Sequence, residues 1–403
     1  MRYSRLFPKT LKEAPKEAVA VNHKLLVRAG FIDQLAAGSW TLLPLGWRVV
    51  EKITQIIREE MDAIGCQEML MPLLHPKEVW NQTGRWESAR EVMYQLKDTR
   101  EREWALSFTH EEIVMELMRK HVTSYKDLPM ALYHFSTKFR NELRATGGIL
   151  RGREFLMKDA YSMHTSEAEL MEWYEKFKQA YLRIFERMGF GVYVTEASGG
   201  VFTDKRTHEF QVVAEAGEDT IYIKPGTHEG YNKEIFAGEE KDFEKYNSIE
   251  IGNIFPLGKT YSEKMQAGFA DQDGSKKPIW FGSYGIGTTR AMGAMVEVSH
   301  DEKGIIWPKA MAPYQAHLVS LRGGEKTAEE IYNKLEKRGV EVLWDDTDRP
   351  AGQKFADADL IGIPVRLVVS DKTGDKMEWK ERGGEKTTLV SGEEVVGRLT
   401  TNV

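Results

Sequence analysis

The residues of this chain best suited to chemistry are the cations and carboxylates crowded between Lys138 and His164. Arg140, Glu142, Arg151, Arg153, Lys158 and Asp159 alternate with Leu143, Leu150, Phe155, Leu156 and Met157, and Gly147, Gly148 and Gly152 lie between the two groups. Arginine offers a planar fork to phosphate or carboxylate oxygens, and Phe155 offers a flat face on which a base can stack, so a nucleotide would fit such a surface. Two apolar, strand-like arms with a glycine tip predict an antiparallel hairpin whose turn uses positive φ. An exposed hairpin laced with surface ion pairs would have the same composition, so the order of the residues has to decide.

Three further stretches carry candidate groups. LSFTHEE (106–112) runs into Ile113, Val114, Leu117 and Met118 at helical spacing, which predicts a helix with Thr109 as N-cap and Glu112 closing a capping box. IWFGSYGIGTTRAMGAMV (279–296) reads as an apolar strand, a glycine-rich bend and a small-residue helix, although a lone Gly-x-Gly can simply mark a tight turn. His208 follows Gly199 and Gly200 at the start of a His-Glu-Phe-Gln strand, and an isolated histidine is more often structural than functional.

Elements able to position these groups are legible. Residues 45–64 place Leu45, Val49, Val50, Ile53, Ile57 and Ile64 on one helical face, and Gln67–Leu73 follows as a strand that Pro72 confines to an edge or an end. A strongly amphipathic helix is predicted over 166–190. Residues 218–250 have weak periodicity and read as a small cap or an extended loop. Beyond Pro308 and Pro313 the chain alternates strands (317–321, 340–344, 364–369, 376–380) with helices (325–338, 352–360), an α/β domain over 313–403.

With 403 residues, 41% of them hydrophobic, the chain is long enough for two or three domains with real cores. One cysteine, Cys66, excludes internal disulfides and cysteine-rich zinc sites and reads as a buried small hydrophobe in a reducing cytoplasm. The N-terminus lacks an apolar signal core, and no uncharged run is long enough to span a bilayer, so no membrane partner is expected. A net charge of −6 gives no bulk electrostatic reason to bind nucleic acid.

Order supplies what composition does not. Phe139-Arg140-Asn141-Glu142, a variable loop and an arginine-rich return carrying Phe155 resemble motif 2 of the class II aminoacyl-tRNA synthetases, and RGREFLMKDAYS resembles the prolyl-tRNA synthetases in particular. The helix of 45–64 with Pro72 resembles motif 1, whose role is the dimer interface, and Gly285-x-Gly287-x-x-Arg290 resembles motif 3. The resemblance implies an α+β fold: a class II antiparallel sheet flanked by helices over 1–312, then an anticodon-binding domain over 313–403, in a cytoplasmic homodimer. It implies ATP and L-proline as substrates, a prolyl-adenylate intermediate, a proline tRNA as acceptor, and Mg²⁺ bridging the phosphates.

Residue by residue, it implies that Thr109 and Glu111 receive proline and its ammonium, with His208 at the border of that pocket. Arg140 would bridge the proline carboxylate and the α-phosphate. Glu142, Arg151 and Gly152 would hold ATP, Phe155 would stack on adenine, and Thr288 and Arg290 would hold phosphates. No protein side chain is expected to ligate a metal. Many bacterial members carry a large inserted domain that hydrolyses alanyl-tRNA; here 218–250 is the only candidate remnant, and it is too short for an independent core. Two rivals share part of the pattern. One is a synthetase-like binding protein without catalysis, against which Arg140, Glu142, Phe155 and Arg290 all speak. The other is a ligase that passes the adenylate to a carrier or amine, which would not need the C-terminal domain.

Overall fold

The computed structural model describes residues 1–200 and 205–400. The chain divides into two compact units, one of Gln34–Trp40 and Ile53–Ala294, the other of Met1–Asp33, Thr41–Lys52 and Met295–Val403. The unit holding the C-terminal strands thus takes in two N-terminal segments as well, where the sequence reading drew its line at 312.

A nine-stranded sheet organises the first unit. Its strands in chain order are β1 (Gln67–Glu68), β2 (Met130–Phe139), β3 (Glu154–His164), β4 (Tyr193–Ala197), β5 (Thr207–Val213), β6 (Asp219–Ile223), β7 (Glu229–Asn232), β8 (Glu244–Gly258) and β9 (Trp280–Gly287). Their spatial order is β5-β4-β7-β6-β8-β9-β3-β2-β1, with β5 also paired to β8. All pairings are antiparallel except β7 with β4 and β1 with β2. The predicted hairpin is β2 and β3 with the loop 140–153 between them, and Gly147 and Gly148 both adopt φ of +66° in that loop, as its turn requires.

Helix α1 (Pro44–Ala63) forms where the spacing predicts it, but only Gln67–Glu68 of the expected strand pairs with the sheet. Residues 218–250 are not a separate cap: they supply β6, β7 and the first half of β8, joined by turns and loops. Their charges mask the period, but Ile221 and Ile223 are buried and Tyr222 stacks on Phe236 at 3.9 Å, so the strands carry an apolar side.

Helix α2 is Glu111–His121 and helix α3 is Glu167–Met188, the latter capped by the Ser166 hydroxyl and stopped by Gly189 in the left-handed region. Helix α3 buries Leu170, Phe177, Tyr181, Ile184, Phe185 and Met188 against one face of the sheet, where Phe177 stacks on Tyr284 at 3.7 Å. Burial of each such side chain stabilises the fold by about 1.5–3 kcal/mol, so this face is committed to packing and only the other is open to ligands. Helix α4 (Thr288–Val298) follows β9.

In the second unit β10 (Ala316–Ser320), β11 (Val342–Asp345), β12 (Val365–Val369), β13 (Lys376–Glu381) and β14 (Thr387–Ser391) form a sheet in the order β11-β10-β12-β13-β14. Helices α5 (Glu325–Lys337), α6 (Ala351–Ile361) and α7 (Gly392–Thr400) accompany it. Leu318, Ile331, Leu335, Leu367 and Val395 belong to its core. The sequence shows four of these strands and two of the helices; β14 and α7 are too short for a period and start on Thr and Gly. No helix among the described residues is long and apolar enough to cross a membrane.

Candidate active site

The open face of the nine-stranded sheet carries a row of directly paired residues. Register partners run His134 to Asp159, Asp159 to Gly285, Gly285 to Asn253, and Asn253 to Glu209, across β2, β3, β9, β8 and β5. Because side chains alternate along a strand, this row and its neighbours two residues away share one face. Lys158, Tyr284 and Phe210 point the other way, into the packing against α3. A side chain at Gly285 would place its Cβ 2.4 Å from Met157 and 2.9 Å from Asn253, so glycine keeps the row open.

Two cavities lie over this face. One, of about 320 Å³, is lined by Thr109, Glu111, Asp159, Tyr161, Phe255 and Ser283 among others. The other, of about 240 Å³, is lined by Glu142, Arg151, Glu218, Asp219 and Arg290. Arg140 and Glu250 line both.

In the first cavity the Glu111 carboxylate is fixed from three sides. The Thr109 hydroxyl donates to Oε2 at 2.6 Å, Arg85 Nη1 to the same oxygen at 3.1 Å, and Ser283 Oγ to Oε1 at 3.1 Å. The expected capping box does not form. Helix α2 begins at Glu111 with His110 as N-cap and no side-chain cap, and Glu112 turns inward to accept from Thr83 at 2.7 Å and from Arg85 at 3.1 Å. Two buried carboxylates sharing one guanidinium outweigh a cap worth about 1 kcal/mol. Burial pushes the Glu112 carboxyl up, against the pull of Arg85.

The second cavity is framed by cations. The Arg140 guanidinium lies over the Phe155 ring at 5.2 Å, and burial followed by the nearby Arg290 charge lowers its proton affinity, as expected where two arginines face one space. Arg290, in the first turn of α4, donates through Nε to the Leu150 carbonyl at 2.9 Å and through Nη1 to the Glu250 carbonyl at 3.0 Å. Arg151 donates to Glu142 at 2.9 Å and to Glu218 at 2.8 Å. Two juxtaposed guanidiniums in a partly enclosed space bind a polyanion. Beside them the Glu209 carboxyl is pushed up to about 8 by burial and by the Glu250 charge, and Asp219 is raised by the same two causes.

The remaining sequence candidates are placed as follows. Gly152 sits where a Cβ would come within 3.1 Å of the Gly38 carbonyl, and Thr288 is buried with its hydroxyl donating to the Leu156 carbonyl at 3.2 Å. Phe155 carries Arg140 on its ring. His208 is not brought to either cavity: it lies on the α3 side of β5, paired at 2.7 Å with the Tyr174 hydroxyl, and its neighbour Glu209 lines the site instead.

Residues 94–299 match the family model for the tRNA synthetase class II core domain of the G, H, P, S and T enzymes, and residues 315–402 match that for an anticodon binding domain. The proline–tRNA ligase of Beijerinckia indica is 41% identical over 440 aligned positions covering 100% of both chains, and that of Nitrobacter winogradskyi is 42% identical over 99% of this chain and 100% of its own. This chain belongs to the prolyl-tRNA synthetase family. The fold agrees: a Giardia lamblia prolyl-tRNA synthetase solved with prolyl-adenylate superposes with a TM-score of 0.79 at 19% identity, over 93% of this chain and 75% of that one. A Cryptosporidium parvum prolyl-tRNA synthetase solved with L-proline and AMP gives 0.77 at 17%, over 94% and 75%.

Within this family framework four residues stand out that the sequence reading passed over: Arg85 and Ser283, which fix Glu111, and Glu209 and Asp219, which crowd Glu250. For one of the four, Glu209, the sequence holds a signal. Glu209 is two residues before Gln211 and next to His208, so strand alternation puts either His208 or Glu209 on the ligand face, never both.

Proposed function

We propose that this chain attaches L-proline to proline tRNA through a prolyl-adenylate formed from ATP. The observation that carries this reading is the pair of cavities meeting at Arg140, one walled by the fixed carboxylate Glu111 and the other by Arg290. A carboxylate held by three donors presents a preorganised acceptor to the proline ammonium, and Arg140 stands where the amino-acid carboxylate and the α-phosphate must meet. The carboxylate attacks the α-phosphorus in line while pyrophosphate leaves. The protein contributes position and charge, since this class of transfer asks little covalent chemistry of it. Glu142 and Arg151 would shape the nucleotide side, with Phe155 behind Arg140 and Gly152 keeping the chain close to Gly38, and Arg290 at the start of α4 would face the phosphates while the neighbouring Thr288 holds the Leu156 carbonyl.

Burial and the Glu250 charge raise the proton affinity of Glu209 and Asp219, and a Mg²⁺ ion brought in with ATP would relieve that crowding without a side chain being assigned as its ligand. When bound, the ion supplies neutralising charge to the phosphates. The unit with residues 313–403 would read the anticodon. Homodimerisation is supported by the edge strand β1 and by Leu70 and Leu74 beyond it, which are 79% and 45% exposed, and the cytoplasm is where such a translation enzyme would act. No internal editing domain is expected, because 218–250 contributes strands of the main sheet and the turns that join them.

ATP–pyrophosphate exchange with each of the twenty amino acids tests the proposal. Exchange driven most strongly by proline is expected, and exchange driven by another amino acid, or by none, would overturn it.

A further inference from the structure

Beneath the amino-acid cavity lies a buried cluster that the functional reading leaves unused. His110, His134 and Asp159 bring three ligand atoms within 4.8 Å of one another, a spacing suited to a metal ion. An ammonium stands among them instead. Lys138 Nζ is 2.7 Å from Asp159 Oδ2, 2.6 Å from Ser136 Oγ, 3.0 Å from His110 Nδ1 and 3.3 Å from His134 Nε2, and the lysine is fully buried.

The hydrogen-bond pattern assigns the roles. His110 Nε2 donates to the Pro72 carbonyl at 2.9 Å, which leaves Nδ1 as the acceptor for Lys138. Burial, then the Lys138 charge, lowers the His110 imidazole to about 4, so it is neutral at physiological pH. Burial works against ionisation of Asp159, but Lys138 and the two histidines outweigh it and hold the carboxyl well below its usual range. Burial lowers the pKa of Lys138 as well, with Asp159 at 2.7 Å pulling the other way, and burial lowers that of His134, so the cage pairs an ammonium and a carboxylate with two neutral imidazoles and a hydroxyl.

Its attachments are what give it a role in the site. His110 lies between Thr109 and Glu111, Asp159 lines the amino-acid cavity on β3, and Lys138 lies on β2 two residues from Arg140, on the same face. We propose that Lys138 is a positioning residue for the amino-acid half of the site. Its ammonium takes the place a metal would fill and ties the 109–111 segment, β3 and β2 into one rigid wall. This deepens the functional reading above, and it is stated for whichever amino acid that cavity takes.

The test is steady-state exchange with Lys138→Met, with active sites titrated by the adenylate burst so that only folded enzyme is counted. The Michaelis constant for the amino acid should rise on the order of 10- to 100-fold, the worth of a charge-assisted contact set out of place, and that for ATP should stay within about threefold. Asp159→Asn, which keeps the shape and removes the charge partner, should give the same split, and it decides the matter if Lys138→Met does not fold. Unchanged amino-acid binding in the folded variants, or equal loss for both substrates, would overturn the proposal. A wild-type enzyme driven by an amino acid other than proline would overturn the functional reading alone, because the split is then measured with that amino acid.

Discussion

Arg85 and Glu111 meet at 3.1 Å with side chains only 7% and 2% exposed, and the same guanidinium nitrogen serves Glu112 at 3.1 Å. Trp80, Phe108 and Tyr261 enclose the Arg85 guanidinium, with ring centres 4.9–5.6 Å away. A cation so enclosed is not a surface ornament: it allows two carboxylates to be buried side by side. Arg85→Met should therefore destabilise the protein by about 3–5 kcal/mol, the cost of stranding a buried charge. Urea unfolding measures this. A loss under about 1 kcal/mol would show that Glu111 and Glu112 are satisfied without Arg85.

For Glu111 itself the expectation separates the two substrates. Glu111→Gln keeps the shape and removes the charge that faces an ammonium, so proline binding should weaken by about 1.5–3 kcal/mol while ATP binding stays near wild type. Calorimetry with each ligand measures both. Equal weakening would mean that the residue only anchors the start of α2.

Arg140 borders both cavities, so its removal should act on the step that joins their contents. Arg140→Ala should lower adenylate formation by roughly 10²–10³, the range for loss of one preorganised charge-stabilising donor. Pyrophosphate exchange within a few-fold of wild type would contradict the assignment.

The sequence shows the helices best, because α1, α3 and α5 repeat an apolar stripe over many turns and the count is unambiguous. The hairpin of β2 and β3 is legible for a different reason, its apolar arms and glycine tip, and His, Ser, Lys and Arg at 134, 136, 138 and 140 add a polar alternation at the period of a strand although the first three are buried. That alternation also contains the Lys138 cage, which period analysis of apolar residues overlooks. Arg85 was invisible because its partner Glu111 is 26 positions away and no local pattern pairs them. Charge hides strands β6 and β7, and the motifs that flank His208 point it to the site where strand parity sends Glu209.

Glu209 makes the stability pH-dependent in a direction that can be worked out. Its folded pKa, about 8, is above the ordinary carboxylate value near 4.3, so between these limits the native state holds a proton that the unfolded chain has lost. Stability from this group is therefore lost as pH rises from about 5 to 8. Glu209→Gln removes the titration, and the melting temperature of the variant should gain on wild type across that window and run parallel above it. Thermal scans of both proteins from pH 5 to 9 test this; a constant difference would show that Glu209 is ionised throughout.

The last expectation concerns alanine. The amino-acid cavity is walled by Tyr161, Phe255 and Met157, which can exclude what is larger than proline. Alanine is smaller and fits inside the same walls, and rejecting a ligand that lacks a methylene is worth only about 1–3 kcal/mol per missing group. Correction after transfer would need a second hydrolytic pocket. Residues 218–250, the one stretch long enough to be considered, are committed to β6, β7 and β8, with Ile221 and Ile223 buried in the sheet. The purified protein should therefore support detectable alanine-dependent exchange and leave preformed alanyl-tRNA for proline intact. The measurement is release of labelled alanine from that tRNA by this protein alone, against a sample without enzyme. Release well above the spontaneous rate would place a hydrolytic site within the two units described here, and the cavity lined by Glu209 would be the first place to look, since it combines a carboxyl of raised proton affinity with room for a water molecule.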